Sequence, residues 1–184
     1  MHPNPCQFSR PHRIRFAECD PAGIVFYPQY FVMFNNLLEA WIDSLLPDGF
    51  AGYIGKQGYG LPTVRLEADF RAISRMGDDV TLSLEVVRLG GKSLTLALAC
   101  TGSDGEVRMS VNQVVVSTSL TTHRAIDIPQ ALRQALTAAP STQQGAHREN
   151  RLPRRRPRRP LFRAADEAAG PVQRRRGHRA QPPL

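Results

Sequence analysis

The chain has 184 residues, with 24 Lys and Arg against 16 Asp and Glu, for a formal net charge of +8. The excess sits at one end: residues 1–140 hold 12 basic and 13 acidic side chains, net −1, whereas residues 141–184 hold 12 Arg against 3 acids, net +9. About 140 residues bury a core without staples and leave little room for a second domain. No apolar run approaches the roughly 18–20 residues of a membrane span, and Met1-His2-Pro3-Asn4-Pro5-Cys6 lacks the basic and apolar regions of a signal peptide. A cytoplasmic protein with no membrane partner is expected. Cys6, Cys19 and Cys100 are odd in number and lack CxxC spacing, so reduced thiols are expected, with no metal and no cofactor.

In chain order, His12 to Phe16 alternate as a strand and lead into the turn formers Cys19-Asp20-Pro21-Ala22-Gly23. Phe31, Phe34, Leu38, Trp41, Ile42 and Leu45 then recur at helical spacing. Pro28 suits the first turn of that helix, where its missing N–H costs nothing, and Leu46-Pro47-Asp48-Gly49 ends it. Period-two runs follow at Val64–Phe70, Val80–Val86, Leu94–Cys100 and Val107–Val116. Short turns at Gly77-Asp78, Gly90-Gly91 and Ser103-Asp104-Gly105 predict an antiparallel meander for the last three strands. One apolar sheet face needs a cover and the helix at 28–46 supplies it, giving an α+β layer, with a short helix near Pro129–Leu136 closing the domain.

Residues 141–184 differ in kind. Arg154-Arg155-Arg156-Pro157-Arg158-Arg159-Pro160 and Arg174-Arg175-Arg176 stand among few large apolar residues, so this tail cannot bury enough surface to offset its ordering entropy and is expected to be disordered. The expected organisation is a domain over 1–140 and a tail over 141–184. Its arginines suit salt-sensitive, sequence-blind association with nucleic acid or another polyanion, although Phe162 is its one aromatic residue for base stacking. The alternative is a tail with no selected function.

Asp20 stands seven residues ahead of Tyr27, at the predicted helix start. A helix start concentrates unsatisfied N–H donors and about half a unit of positive charge, so it polarises carbonyl oxygens. A carboxylate beside such a donor supplies two roles of acyl hydrolysis: the amide stabilises an oxyanion, and the carboxylate attacks the carbonyl or deprotonates water.

Asp20 to Val25 with Tyr27-Pro28 and Tyr30 resembles the active-site signature of the 4-hydroxybenzoyl-CoA thioesterases of the hotdog fold. The resemblance extends over roughly residues 10–137, through Leu61-Pro62-Thr63-Val64, Phe70, Asp78-Asp79-Val80 and Lys92-Ser93 in matching order. It implies a curved antiparallel sheet wrapped around one long central helix. It implies an acyl-CoA thioesterase acting on an aromatic or short acyl group, with Asp20 as the catalytic carboxylate and the Tyr27 N–H on the thioester carbonyl. Gly23 would allow close approach of the loop, Arg88 and Lys92 would contact the nucleotide part of CoA, and active sites would form between subunits of a dimer or tetramer. Within enzymes, the alternative is a thioesterase on acyl groups carried by acyl carrier protein, which calls for a basic docking patch.

Plainer readings stand beside these. Asp20 before Pro21 also fits a turn or cap, Arg88 and Lys92 fit solvated hairpin charges, and Glu18 is expected to face solvent. Cys19 adjoins Asp20 and reads as a small buried thiol, since no His lies near in sequence to activate it. Of the aromatics near the helix start, Phe26 and Tyr27 are pocket candidates, and Tyr30 and Phe31 read as core.

Overall fold

Nineteen residues, Tyr27–Leu45, form α1, and on it Tyr30, Met33, Phe34, Leu37, Leu38, Ala40, Trp41 and Ile42 are buried. Burying a large apolar side chain contributes about 1.5–3 kcal/mol, whereas helix propensities differ by tenths of a kcal/mol, so packing holds this helix. Its solvent stripe is polar, with Asn35 donating to Glu39 one turn on at 2.8 Å. The helix ends where Leu46 N–H closes on Ile42 O at 3.0 Å and Pro47 follows.

The computed structural model describes residues 7–137; the tail expected over 141–184 lies outside them, as does Cys6. The strands are β1 (Gln7–Arg13), β2 (Tyr59–Gly60), β3 (Thr63–Phe70), β4 (Asp79–Leu89), β5 (Ser93–Gly102), β6 (Val107–Val116) and β7 (Thr118–Ser119). A short α2 (Gly49–Ala51) runs into a π-helical turn, Gly52–Lys56, and α3 spans Gln130–Thr137. The main sheet has the order β1-β4-β5-β6-β3, antiparallel throughout, and β2 and β7 form a small separate ladder. The predicted meander is β4-β5-β6. Register shifts at Thr63/Arg65, Val86/Arg88 and Cys100/Thr101 bend the strands. The sheet's inner face, led by Leu84, Leu94, Leu96, Leu98, Met109 and Val115, packs with α1 into one core.

Three expectations change. The first strand is Gln7–Arg13 rather than His12–Phe16, because the chain tightens at Phe16–Glu18 into a 3-10 turn; Pro11 is tolerated since β1 is an edge strand. The stop expected at Leu46-Pro47-Asp48-Gly49 ends α1, but Gly49 itself opens a further turn: Asp43 Oδ1 accepts the Phe50 N–H at 2.7 Å and starts α2. Gly49 is required there, at φ +62°, since a Cβ would lie 2.6 Å from the Asp43 carboxylate. Third, the apolar residues of β3 are not covered: Val64 is 61%, Leu66 41% and Phe70 54% exposed. The helix packs against β1 and β4, toward the other edge.

Burial pushes the Cys100 thiol from 9.0 up to about 11, and burial likewise raises the Tyr30 hydroxyl. Unfolding returns the Cys100 thiol to water, where it ionises above its ordinary value. Its contribution to stability is therefore full below pH 9, lost progressively between pH 9 and 11, and level beyond. Chemical denaturation of the parent and Cys100→Ala at pH 8 and pH 10.5 checks this: the parent loses more stability across that interval than the variant does.

Candidate active site

The segment between β1 and α1 folds as a tight hairpin. Asp20 N–H donates to Ile24 O at 2.9 Å and Phe26 N–H to Glu18 O at 2.9 Å, with Cys19 opposite Val25 between them. Gly23 turns the corner at φ +73°, in the left-handed region, and its N–H returns to Asp20 O at 2.9 Å. Nothing lies within 4 Å of where a Cβ would stand at Gly23, so the requirement there is conformational and space is open in front of the loop. One carboxylate oxygen of Asp20, Oδ1, accepts the Ala22 N–H at 2.9 Å. That bond fixes the side-chain direction and leaves Oδ2 for other work.

The helix start reduces to one donor. No side chain caps α1 at Phe26. The Phe26 N–H is taken by Glu18 O, the Gln29 N–H by Phe26 O at 2.8 Å, and Pro28 has none. What is left is the N–H of Tyr27, the first helical residue, which has no acceptor within the helix. The hairpin therefore delivers an oriented carboxylate and a single uncommitted amide at the positive end of a nineteen-residue helix.

Around this start the surface is aromatic. Tyr27 and Phe26 are 59% and 48% exposed. Phe26 meets Tyr27 edge to face at 5.4 Å between centroids, and Tyr27 meets Phe70 of β3 at 6.2 Å. Among the described residues these rings stand together as one exposed aromatic wall beside the helix start. A groove of about 790 Å3 opens elsewhere, on the outer face of the sheet among Ser9, Ser83, Ala99, Ser110 and Asp69, and Asp20 does not line it. Arg88 and Lys92 lie at the β4–β5 hairpin. Asp20 lies at the opposite end of β4, beside Arg75–Asp78, so about 30 Å of strand separates them at 3.3 Å per residue. Within one protomer the structure does not bring these basic residues to Asp20.

Glu18 does not face solvent as expected. Its side chain is 15% exposed, holding His12 Nε2 at 2.9 Å and accepting the Arg15 N–H at 2.7 Å. His12 is thereby committed to Glu18. Cys19 is half-buried, its Sγ donating to Arg15 O at 3.5 Å. Desolvation, then the Glu18, Asp20 and Asp78 carboxylates, raise its thiol, which disfavours a thiolate nucleophile. Sequence spacing gave no sign of Ser74, whose partner Tyr30 lies 44 residues away, or of the His12–Glu18 pair, which forms only because the 3-10 turn at Phe16–Glu18 folds Glu18 back toward β1; Phe70, an aromatic ending an alternating run, carried some signal. Among the described residues no group of three or more His, Cys, Asp or Glu is placed to hold a metal ion, and no helix is long and apolar enough to cross a membrane.

A five-stranded antiparallel sheet wrapped on one buried helix is the hotdog architecture, and with the family and the relatives that match it the class is a thioester hydrolase of that fold. The chain belongs to the thioesterase-like superfamily, whose family model matches residues 14–136. A 1,4-dihydroxy-2-naphthoyl-CoA hydrolase of Synechococcus sp. (strain CC9311) is 30% identical over 132 residues, spanning 67% of this chain and 79% of that relative. Among solved structures, a 1,4-dihydroxy-2-naphthoyl-CoA thioesterase from Synechocystis matches with a TM-score of 0.64 at 20% identity, covering 71% of this chain and 95% of its own. A mutant 4-hydroxybenzoyl CoA thioesterase complexed with 4-hydroxybenzoyl CoA matches with a TM-score of 0.65 at 21% identity, covering 72% and 99%.

At Gly23, replacement by Ala leaves contacts unchanged but forces φ +73° on a residue that disfavours it. We expect a loss of about 1 kcal/mol or a shifted turn. Thermal melts together with thioester hydrolysis rates check this, the rate falling further than the melting point alone accounts for.

Proposed function

We propose that the chain is an acyl-CoA thioesterase that hydrolyses an aromatic acyl-CoA of the 4-hydroxybenzoyl type, or a short acyl-CoA, to the free acid and CoA. The observation that carries this reading is the accounting of the α1 first turn, which leaves the Tyr27 N–H as the one donor beside the Asp20 hairpin. In the proposed reaction that N–H donates to the thioester carbonyl oxygen and stabilises the negative charge growing there. The Asp20 carboxylate then acts by one of two routes. It attacks the carbonyl carbon, expelling the CoA thiolate and leaving an acyl-aspartyl anhydride that water cleaves, or it takes a proton from water as that water attacks. In both, water supplies the oxygen of the new acid and the proton that ends on CoA.

The acyl group is read from two supports. The relatives named above act, by their names, on aryl-CoA thioesters, and the helix start here is flanked by the exposed rings of Phe26, Tyr27 and Phe70. Gly23 keeps the approach to the carbonyl open. The exposure of these rings supports a homo-oligomer. The ladder of β3 is open along one edge, and Val64, Leu66 and Phe70 stand exposed along it. Unpaired edges with exposed apolar residues pair with another chain unless blocked. In such a dimer a partner subunit closes the pocket, and Arg88 and Lys92 serve CoA phosphates from across the interface, which their distance from Asp20 within one protomer requires.

Free-thiol release from benzoyl-, hydroxybenzoyl-, phenylacetyl- and short aliphatic acyl-CoA tests the substrate class, with turnover expected on the aryl members; equal failure on all would sink it. Asp20→Asn is expected to lower turnover by about 100-fold or more with an unchanged circular dichroism spectrum, and near full turnover would remove Asp20 from its role. For the assembly, Leu66→Asp is expected to shift the sedimenting species to the monomer and to abolish hydrolysis; a parent chain that sediments as an active monomer would contradict it.

A further inference from the structure

The Asp20 hairpin and the first turn of α1 both touch a third segment, Ser74–Met76, that follows β3. The Ser74 carbonyl accepts the Val25 N–H at 3.0 Å, Arg75 pairs with Ile24, and the Met76 N–H donates to Gly23 O at 3.2 Å. Ile24 in turn accepts the Asp20 N–H. The segment is itself anchored, since Asp78 Oδ2 accepts the Arg75 N–H at 2.8 Å and the Gly77 N–H reaches Ile14 O at 2.9 Å. From the helix side, Tyr30 lies one turn after Tyr27 and donates its hydroxyl to Ser74 Oγ at 2.9 Å. Both residues are buried, Tyr30 4% and Ser74 1% exposed.

Packing does not ask for this polar pair. The Tyr30 ring meets Phe70 edge to face at 6.2 Å, a contact that phenylalanine makes equally well. A buried hydroxyl gains little net stability over an apolar group of the same shape. What the bond supplies is direction, because it ties the helix that carries the Tyr27 N–H to the segment that holds both sides of the Asp20 turn. We propose that Tyr30 and Ser74 are positioning residues that set the distance and angle between the Asp20 carboxylate and the Tyr27 N–H. This rests on the reading of those two groups as the reacting ones. A misplacement of about 1 Å at reacting groups costs about 100-fold in rate, so a single hydrogen bond that removes part of that freedom is worth measuring.

The experiment uses the full chain, with Tyr30→Phe, Ser74→Ala and the double variant, each in the parent and in an Asp20→Asn background. Hydrolysis of the best aryl-CoA substrate is followed well below the melting temperature of every variant. Tyr30→Phe is expected to lower kcat about 10-fold while KM stays within about twofold, with the double variant no slower than the slower single. In the Asp20→Asn background the same substitution is expected to leave the residual rate unchanged, since there is no carboxylate left to align. Should Ser74→Ala fail to fold, the near-isosteric Tyr30→Phe carries the test alone. An unchanged kcat in Tyr30→Phe, a loss confined to KM, or an equal fractional loss in both backgrounds overturns the positioning role. Full turnover in Asp20→Asn alone overturns the parent reading and this one with it, and so separates the two failures.

Discussion

The structure is organised by the need to keep α1 dry. A nineteen-residue helix whose buried side chains include Trp41, Ile42, Phe34 and Leu37 has no stable position in water on its own. The five-stranded sheet bends over it, and the side chains of Leu94, Leu96 and Leu98 fill the space between at essentially zero exposure. A helix buried along its length still has to end, and its first turn still presents N–H groups that the helix cannot satisfy. In this chain those groups are settled one by one: a backbone carbonyl for Phe26, a missing hydrogen at Pro28, a tight turn for Gln29. The chemistry proposed for the site is what that settlement leaves over.

Much of this was legible in the sequence, and the reason is periodicity. The α1 side chains repeat at three and four residues and the strands at two, so element type, the meander and the helix-on-sheet layer follow from local pattern. Boundaries moved where hydrogen bonds, and not hydrophobicity, decide them. Glu18 accepting the Arg15 N–H turns the chain at Phe16, and Asp43 accepting the Phe50 N–H starts α2 after the apparent stop at Pro47. Asp20 and Tyr27 could be proposed as a site because a carboxylate, a turn and a helix start lie within a few residues of one another. The Tyr30–Ser74 bond could not, for its partners are 44 residues apart and neither carries a pattern.

Charge counting separated two parts of the chain, and the structure sharpens what that means for the domain. Within the described residues opposite charges also pair at the surface, Arg13 with Asp79 and Lys56 with Asp48. Such exposed pairs contribute little to stability, typically under about 1 kcal/mol each. Glu18, one residue before Cys19, has its carboxylate taken up by His12 Nε2 and the Arg15 N–H.

The open edge and the open pocket have one cause. Because α1 packs toward β1 and β4, Leu66 and Phe70 stay exposed on the helix side of the sheet, and β3, paired only with β6, leaves its outer edge open. Phe70 is also the ring that touches Tyr27 and Tyr30, so the uncovered strand and the wall of the site share a residue. A second β3 paired along that edge would satisfy the ladder, bury Leu66 and bring a facing wall to Tyr27 in a single step. Covering the edge in another way, with a loop or an added helix, would leave Phe70 buried but the site blocked. The same uncovered surface thus joins the open sheet edge to the aromatic side of the site, and it makes assembly and catalysis, in the reading proposed, one event.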